Sequence, residues 1–568
     1  MRRLATSFIV TACLIAASTD ARAGSSTLRW TDLATFSETA PSGTNGPGTG
    51  GISGRACDAS TSTQPAMFAG NVLLDCDSAG PHNETAIAVN PINPANIVAA
   101  SHTYLYDLDK VNAIALLRIF TEAYVTTDGG RTWSNIHPPN GSYRFLTDPS
   151  LAFGADGVLY WSNVASHDSV AGAFSDVSVI VERSLDGGLH WTDPITVTKG
   201  NGTVSNGGSN VLFNDKDWIA ADRGAASPYR GSVYVTWARQ QIRKGVMTES
   251  PIFLSRSADG GQTWTDGAEI SGSSALCSGQ GTSGPRTRCD QNDAGFATPV
   301  VAPNGTIYVP FLNHQVSNDG ANRDQVLLVS SADGGATWSD PVQVVALVHD
   351  GFGDYPTVNS HGEPALNGCE FRIFAAGNLS LSEAAANAGQ LYYVYAENLD
   401  PGASARTNIM VTSSTDAGRS WSRPVAVHTS SADQIYPWSA VGTDGRLRVG
   451  YVDRGRATPS GAWPGETCVY GYTLASARDV SATRFTTQSL ETGVSFASSS
   501  RFFRNLTGSN VFNARFIGDY TNIALDRDNH VWATWTDMRA PVDPFFAIDT
   551  GTNGPPVLHA EHAVAATR

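Results

Sequence analysis

Three apolar runs in the chain close on arginine: VYVTWAR at Arg239, LRVGYVDR at Arg454 and VWATWTDMR at Arg539. A guanidinium offers a planar fork that meets a carboxylate through two parallel hydrogen bonds. Three of them facing one channel could therefore hold a sugar acid. Their competing use is in ion pairs within the fold, for which Asp453 and Asp537 are near neighbours in sequence. Related runs end in His102, Asn163, His314 and Glu397. The strands in front of them open on His82-Asn83-Glu84, Asp148, Asp215-Lys216-Asp217-Trp218, Asp293, Asp354-Tyr355, Tyr436 with Trp438, and Asp519-Tyr520. Carboxyl groups that exchange protons, rings that stack on a sugar and arginines that bind an acidic group are the set a carbohydrate site uses. Any single aspartate before a strand also has a plainer use, as a cap on backbone N–H groups.

The segments that carry these residues show how they could be brought together. ETAIAVNPINPANIVAASH, DPSLAFGADGVLYWSN, DWIAADRGAASPYRGSVYVTWAR and AGFATPVVAPNGTIYVPFLNH each read as a strand, a turn and a second strand rich in β-branched and aromatic residues. Later copies are DYPTV with GQLYYVYAE after an insertion, YPWSAVGTDGRLRVGYVDR, and DYTNIALDRDNHVWATWTDMR. Five of the seven hairpins are followed by an alternating strand such as PIFLSRSAD, an octapeptide and a short fourth strand. Four-stranded units that cannot bury both faces alone stack radially. The sequence therefore predicts an all-β fold, a β-propeller of four-stranded blades, with a terminal segment closing the ring. Seven hairpins favour seven blades, and the octapeptide count leaves six as the alternative. The expected organisation is a signal peptide over 1–23, a Gly/Ser-rich extension over 24–80 and the propeller over 81–568.

The octapeptides read TTDGGRTW, SLDGGLHW, SADGGQTW, SADGGATW and STDAGRSW, with aspartates at Asp128, Asp186, Asp259, Asp333 and Asp416. Hydroxyl and carboxylate oxygens can accept backbone N–H groups across a turn, and glycine supplies the positive φ that such a turn needs. The tryptophan packs back between sheets, a burial worth up to about 5 kcal/mol against about 1 kcal/mol per turn hydrogen bond. Catalysis has no need of five equivalent aspartates, so these are read as structural. The five copies resemble the Asp box (BNR repeat) of the sialidase superfamily, over roughly residues 82–540. That resemblance implies turns on the periphery of a propeller, at the end away from the active site. It further implies an arginine triad for the substrate carboxylate, a tyrosine nucleophile assisted by a glutamate, and a separate aspartate as acid/base. By position these roles fall on Arg239, Arg454 and Arg539, on Tyr436 or Tyr520, on Glu397 or Glu84, and on Asp148 or Asp217. Trp218, Tyr355, His102 and His314 would line the substrate. A tyrosine of ordinary pKa needs an adjacent base before it can attack, and an aspartic acid donor needs its pKa raised. The superfamily's Phe-Arg-Ile-Pro signature has its nearest match in Phe371-Arg372-Ile373-Phe374, which lacks the proline and follows the fourth octapeptide.

The bulk properties narrow the function classes. A formal charge of −15 without a basic stripe argues against nucleic acid as a partner. Arg2 and Arg3, an apolar run to Ala17 and the small-x-small motif Ala21-Arg22-Ala23 read as an export signal cleaved near Ala23, so the protein is expected to be secreted or periplasmic. No further apolar run reaches the roughly 20 residues of a membrane span. Cys57, Cys76, Cys277, Cys289, Cys369 and Cys468 remain after the signal, an even set expected to pair as Cys57–Cys76, Cys277–Cys289 and Cys369–Cys468. No zinc-type spacing occurs and no cofactor is expected, although loop carboxylates leave room for a structural calcium. The leading expectation is an exported, sialidase-like glycoside hydrolase whose partner is an acidic glycan or glycoconjugate. The alternatives are a polysaccharide lyase, with Tyr355, His102 or His314 as the base, and a non-catalytic binding propeller.

Overall fold

The structure, a computed structural model, describes residues 51–58, 72–74, 82–107, 115–167, 174–203, 210–244, 246–278, 287–292, 296–314, 324–348, 357–358, 364–366, 368–369, 373, 377–398, 406–455, 468–490, 494–496, 517–537 and 562–567. Seven antiparallel sheets, four of four strands and three of five, follow one another around a ring. Their innermost strands are His82–Val89, Phe145–Phe153, Val211–Ala221, Val300–Val301, Asn378–Leu381, Gln434–Val441 and Asn522–Leu525, which define blades one to seven. Each inner strand pairs with the next strand of its hairpin, and blade one packs against both blade two and blade seven, so the ring is closed. Among the described residues there is one short 3-10 turn, Ala275–Cys277, and no α-helix long and apolar enough to cross a membrane.

Both chain ends close the ring. Blade seven takes its third strand, His562–Thr567, from the C-terminus and its fourth, Val72–Leu73, from the N-terminal segment. Gly51–Asp58 adds a fifth strand outside blade one, against Thr132–His137. One expected hairpin is corrected. The strand in DYPTV, Thr357–Val358, pairs with Pro364–Ala365 in a separate two-stranded ribbon, and blade five instead starts at Asn378–Leu381, paired with Leu391–Asn398. The β-branched and aromatic signal of NLSL is weaker than that of DYPTV, so local propensity points to the wrong segment.

The octapeptides join the third and fourth strands of blades one to five, at the rim opposite the starts of the inner strands. Their geometry repeats. The Ser257 hydroxyl donates to Asp259 Oδ1 (2.8 Å), which also accepts the Thr263 N–H (2.9 Å), while Oδ2 accepts the Thr263 hydroxyl (2.6 Å). The same pattern recurs at Asp128, Asp333 and Asp416, and at Asp186 with His190 in place of the hydroxyl. Trp133 and Trp191 are buried, whereas Trp264, Trp338 and Trp421 are half-buried, so the packing gain expected for every tryptophan is full in two of five. Three indoles also donate to a glycine carbonyl of their own turn, Trp191 to Gly188 (2.9 Å) and Trp338 and Trp421 to Gly335 and Gly418 (3.2 Å each).

Side chains of one blade reach the turn of the next. Asn96 donates to the Gly187 carbonyl (2.9 Å), Arg183 to that of Gly260 (2.9 Å) and Arg256 to that of Gly334 (3.3 Å). The turn therefore ties neighbouring blades as well as its own strands. Disulfides join Cys277 to Cys289 and Cys369 to Cys468, both as expected, the second spanning 99 residues of sequence. The Cys57–Cys76 pairing and the export signal lie outside what is described at side-chain level, as does the N-terminal extension apart from Leu74, which is buried.

Candidate active site

The inner strands of four blades share one irregularity. Pairing with the second strand slips between Asn83 and Ala86, Thr147 and Ser150, Asp215 and Trp218, and Ile435 and Trp438. Within each slip one non-glycine residue takes a left-handed backbone, with φ of 50° at Glu84, 57° at Asp148, 50° at Lys216 and 52° at Tyr436. Such a bulge re-aims its side chain, and a non-glycine residue held there costs on the order of 1–3 kcal/mol. Four equivalent strained bulges around one channel mouth are maintained against that cost.

Three of these side chains meet. The Lys216 ammonium donates to both Glu84 carboxylate oxygens (3.0 and 3.1 Å) and lies 2.6 Å from Asp148 Oδ1 and 2.9 Å from Asp519 Oδ2. Blades one, two, three and seven thus converge on one nitrogen. His102 Nε2 lies 3.3 Å from Glu84 Oε2 and accepts the backbone N–H of Asp148. Burial alone would lower the lysine pKa, but Asp148, Asp519 and Glu84 outweigh it and hold the ammonium well above its ordinary range. Burial likewise pushes the Asp148 carboxyl up, and Lys216 with His102 overcomes it to hold that carboxyl below the usual range. Gly518, at φ 89°, permits the close approach of blade seven, since a Cβ there would sit 2.8 Å from the Glu84 nitrogen.

Asp217, the next residue along, behaves oppositely. Burial, with Asp148 and Asp215 nearby, raises its carboxyl well above the carboxylate range, against a weaker pull from Ser162. Among the described residues, no hydrogen bond of ordinary geometry reaches either Asp217 oxygen. Tyr520 is buried, its ring centroid 5.2 Å from the Lys216 nitrogen. Burial, Glu84 and Asp148 raise its hydroxyl well above the ordinary phenol value. Trp218 from blade three packs on Trp438 from blade six (centroids 4.8 Å apart) and on Tyr520 (5.0 Å), an aromatic contact across three blades. Beside Asp148, a small recess of about 20 Å³ between blades two and three is lined by Phe145, Phe174, Phe213 and Val164.

The other sequence candidates are dispersed. Tyr436 is buried, and its carbonyl accepts the Thr521 hydroxyl (3.1 Å). Glu397 is buried at the end of the second strand of blade five, opposite Asn408. His314 pairs with Asp324 on blade four (2.9 Å). Of the three arginines, Arg239 and Arg454 are described, and each is held by other side chains of the fold. Arg239 lies between blades two and three, over the Phe253 ring (4.0 Å), donating to Thr198 (2.7 Å) and Asn214 (3.2 Å). Arg454 pairs with Asp433 at 2.8 Å. Arg539 and Tyr355 lie outside the described residues. Lys216 and Asp519 stand at strand starts in the sequence, where nothing local assigns them a role. Their signal was a lone lysine among acid-bearing strand starts.

Comparison with protein-family models and with curated proteins finds no match. Among solved structures, a NanB sialidase from Streptococcus pneumoniae superposes with TM-score 0.40 at 9% identity, covering 92% of this chain and 98% of that one. An alpha-L-arabinofuranosidase from Fusarium graminearum gives 0.40 at 13% identity, covering 75% and 95%. The Hadza microbial sialidase Hz136 gives 0.39 at 15%, covering 67% and 65%.

Proposed function

We propose that the protein is an exported glycan-active propeller of the Asp-box type that hydrolyses a glycosidic bond at the mouth of its channel. The observation that carries this reading is the opposed environment of two neighbouring carboxyl groups. Burial raises the Asp217 carboxyl well above its ordinary value, while Lys216 and His102, against burial, hold Asp148 below it. Environments that push two carboxyl pKa values apart are how a glycosidase divides acid from anionic partner. Asp217 donates its proton to the glycosidic oxygen as the bond to the anomeric carbon breaks. The Asp148 carboxylate faces the positive charge that develops on the sugar, and water then supplies the new oxygen. Lys216 is a positioning residue that keeps Asp148 ionised. The raised Tyr520 hydroxyl disfavours that tyrosine as the nucleophile, because it would have to surrender a proton it holds more tightly than usual. A lyase would build negative charge beside these carboxylates, so that alternative is less well supported.

The near-complete burial of the cluster favours a second reading, a binding propeller in which Lys216 only ties blades together. Release of reducing ends from a panel of glycans decides between them. The hydrolase reading expects release by the wild type and a loss of about 10²–10⁴-fold in Asp217→Asn at unchanged thermal stability. Retention of glycan without release would establish the binding reading instead.

A further inference from the structure

We infer that the seam between blades one and two is a latch worked by a proton on Glu182. The neutral acid keeps the seam shut, and the ionised one drives the Ser184–Trp191 turn off blade one so that water enters. Glu182 is fully buried two residues before that turn, opposite Trp161. Among the described residues, neither of its oxygens nor the Trp161 indole nitrogen closes a hydrogen bond. The same position holds Tyr124, Ser255, Val329 and Thr412 in the other four octapeptide blades, so only blade two places an acid there. Where that residue is polar in blades three and five it is satisfied, Ser255 by the Thr265 carbonyl (2.6 Å) and Thr412 by that of Ser422 (2.7 Å). The turn is the moving part, seated on blade one by few contacts. Trp191 packs edge-on against Trp161 (centroids 5.1 Å apart), and Asn96 donates to the Gly187 carbonyl (2.9 Å). Gly188 lies so close that a Cβ there would sit 2.9 Å from the Val98 side chain and 3.1 Å from that of Val125.

The charge that bears on Glu182 is the exposed Asp193, of its own sign. Other titratable groups on the packed elements are engaged elsewhere. Glu122 and His137 lie 3.4 Å apart on the face of blade one that Tyr124 turns toward blade seven. Arg183 reaches blade three, donating to the Gly260 carbonyl, and Asp186 and His190 pair at the exposed tip (2.6 Å). Ionisation would therefore leave a bare carboxylate between tryptophans and valines, and hydration by opening the seam is its relief. Burial, and then Asp193, push this carboxyl well above its ordinary range. An acid raised in the folded state supports that state at low pH and ceases to as pH climbs through its folded value. The latch is shut in acid and opens as pH rises.

Hydrogen exchange read by mass spectrometry on the purified protein, between about pH 5 and pH 9 and corrected for intrinsic exchange, tests this. In the wild type, protection over residues 184–193 should fall at least about tenfold across that range, measured against the blade-three turn at 257–264. In Glu182→Gln the fall should vanish. Wild-type protection that stays level, a fall that persists in Glu182→Gln, or one that blade three shares, overturns the inference. Should Glu182→Gln not fold, Asp193→Asn decides instead. Removing the like charge should move the midpoint of the fall to lower pH, and an unmoved midpoint overturns the latch.

Discussion

At the scale of single residues the mouth is set by which carboxyl group keeps its proton. Because the folded state raises Asp217, the proposed acid is present at low pH and is lost as pH rises through its elevated pKa. The wild-type rate should therefore fall on the alkaline side, and Asp217→Asn should remove that limb. Lys216→Met leaves three buried carboxylates without their cation and should destabilise the fold by about 3–5 kcal/mol in chemical denaturation. Glu182 offers an independent check on the same physics. It is fully buried on the third strand of blade two, opposite Trp161, and burial with Asp193 raises its carboxyl well above the ordinary value. A raised acid contributes stability below its unfolded pKa and loses it as pH climbs through the folded one. Glu182→Gln should thus match the wild type in acid and exceed it by about 1–2 kcal/mol at neutral pH.

The inner-strand bulges and the outer octapeptide turns divide the work between two rims. Ala417 occupies the octapeptide position that is glycine in the other four copies, and it holds φ at 62°. Ala417→Gly relieves a left-handed alanine and should raise stability by about 1 kcal/mol, read as a shift in denaturation midpoint. Gly518→Ala should act in the opposite direction, forcing a methyl against the Glu84 backbone and disturbing the cluster that Glu84 helps build. Much at this scale was legible in sequence. The octapeptide turns announced themselves because hydroxyl, aspartate, glycine and tryptophan are each demanded locally. The DYPTV strand misled because its β propensity is real but serves a separate ribbon. A strand-end arginine such as Arg239 or Arg454 shows its charge in sequence and not its partner. Thr198, Asn214 and Asp433 are chosen by how blades pack, and nothing local to Arg239 or Arg454 names them.

For the whole molecule, closure is the governing fact. The seventh blade needs strands from both ends of the chain, and the convergence of blades one, two, three and seven on Lys216 happens only once the ring is shut. The sequence foretold a closing segment but could not show that one lysine would sit where the ends meet. The bridge between Cys369 and Cys468 constrains a 99-residue separation. Replacing both cysteines by alanine should cost about 4 kcal/mol by the chain-entropy account, measured under non-reducing conditions.

The proposed chemistry requires Asp217 to hold a proton at neutral pH while Asp148 does not. Difference infrared spectroscopy of the purified protein at pH 7 reads this directly through the carbonyl stretch of a protonated carboxylic acid. Asp217→Asn should delete one such band and Asp148→Asn none. A spectrum in which Asp217→Asn removes nothing, or in which Asp148→Asn removes the band, would contradict the assignment of acid and anion on which the proposed chemistry stands.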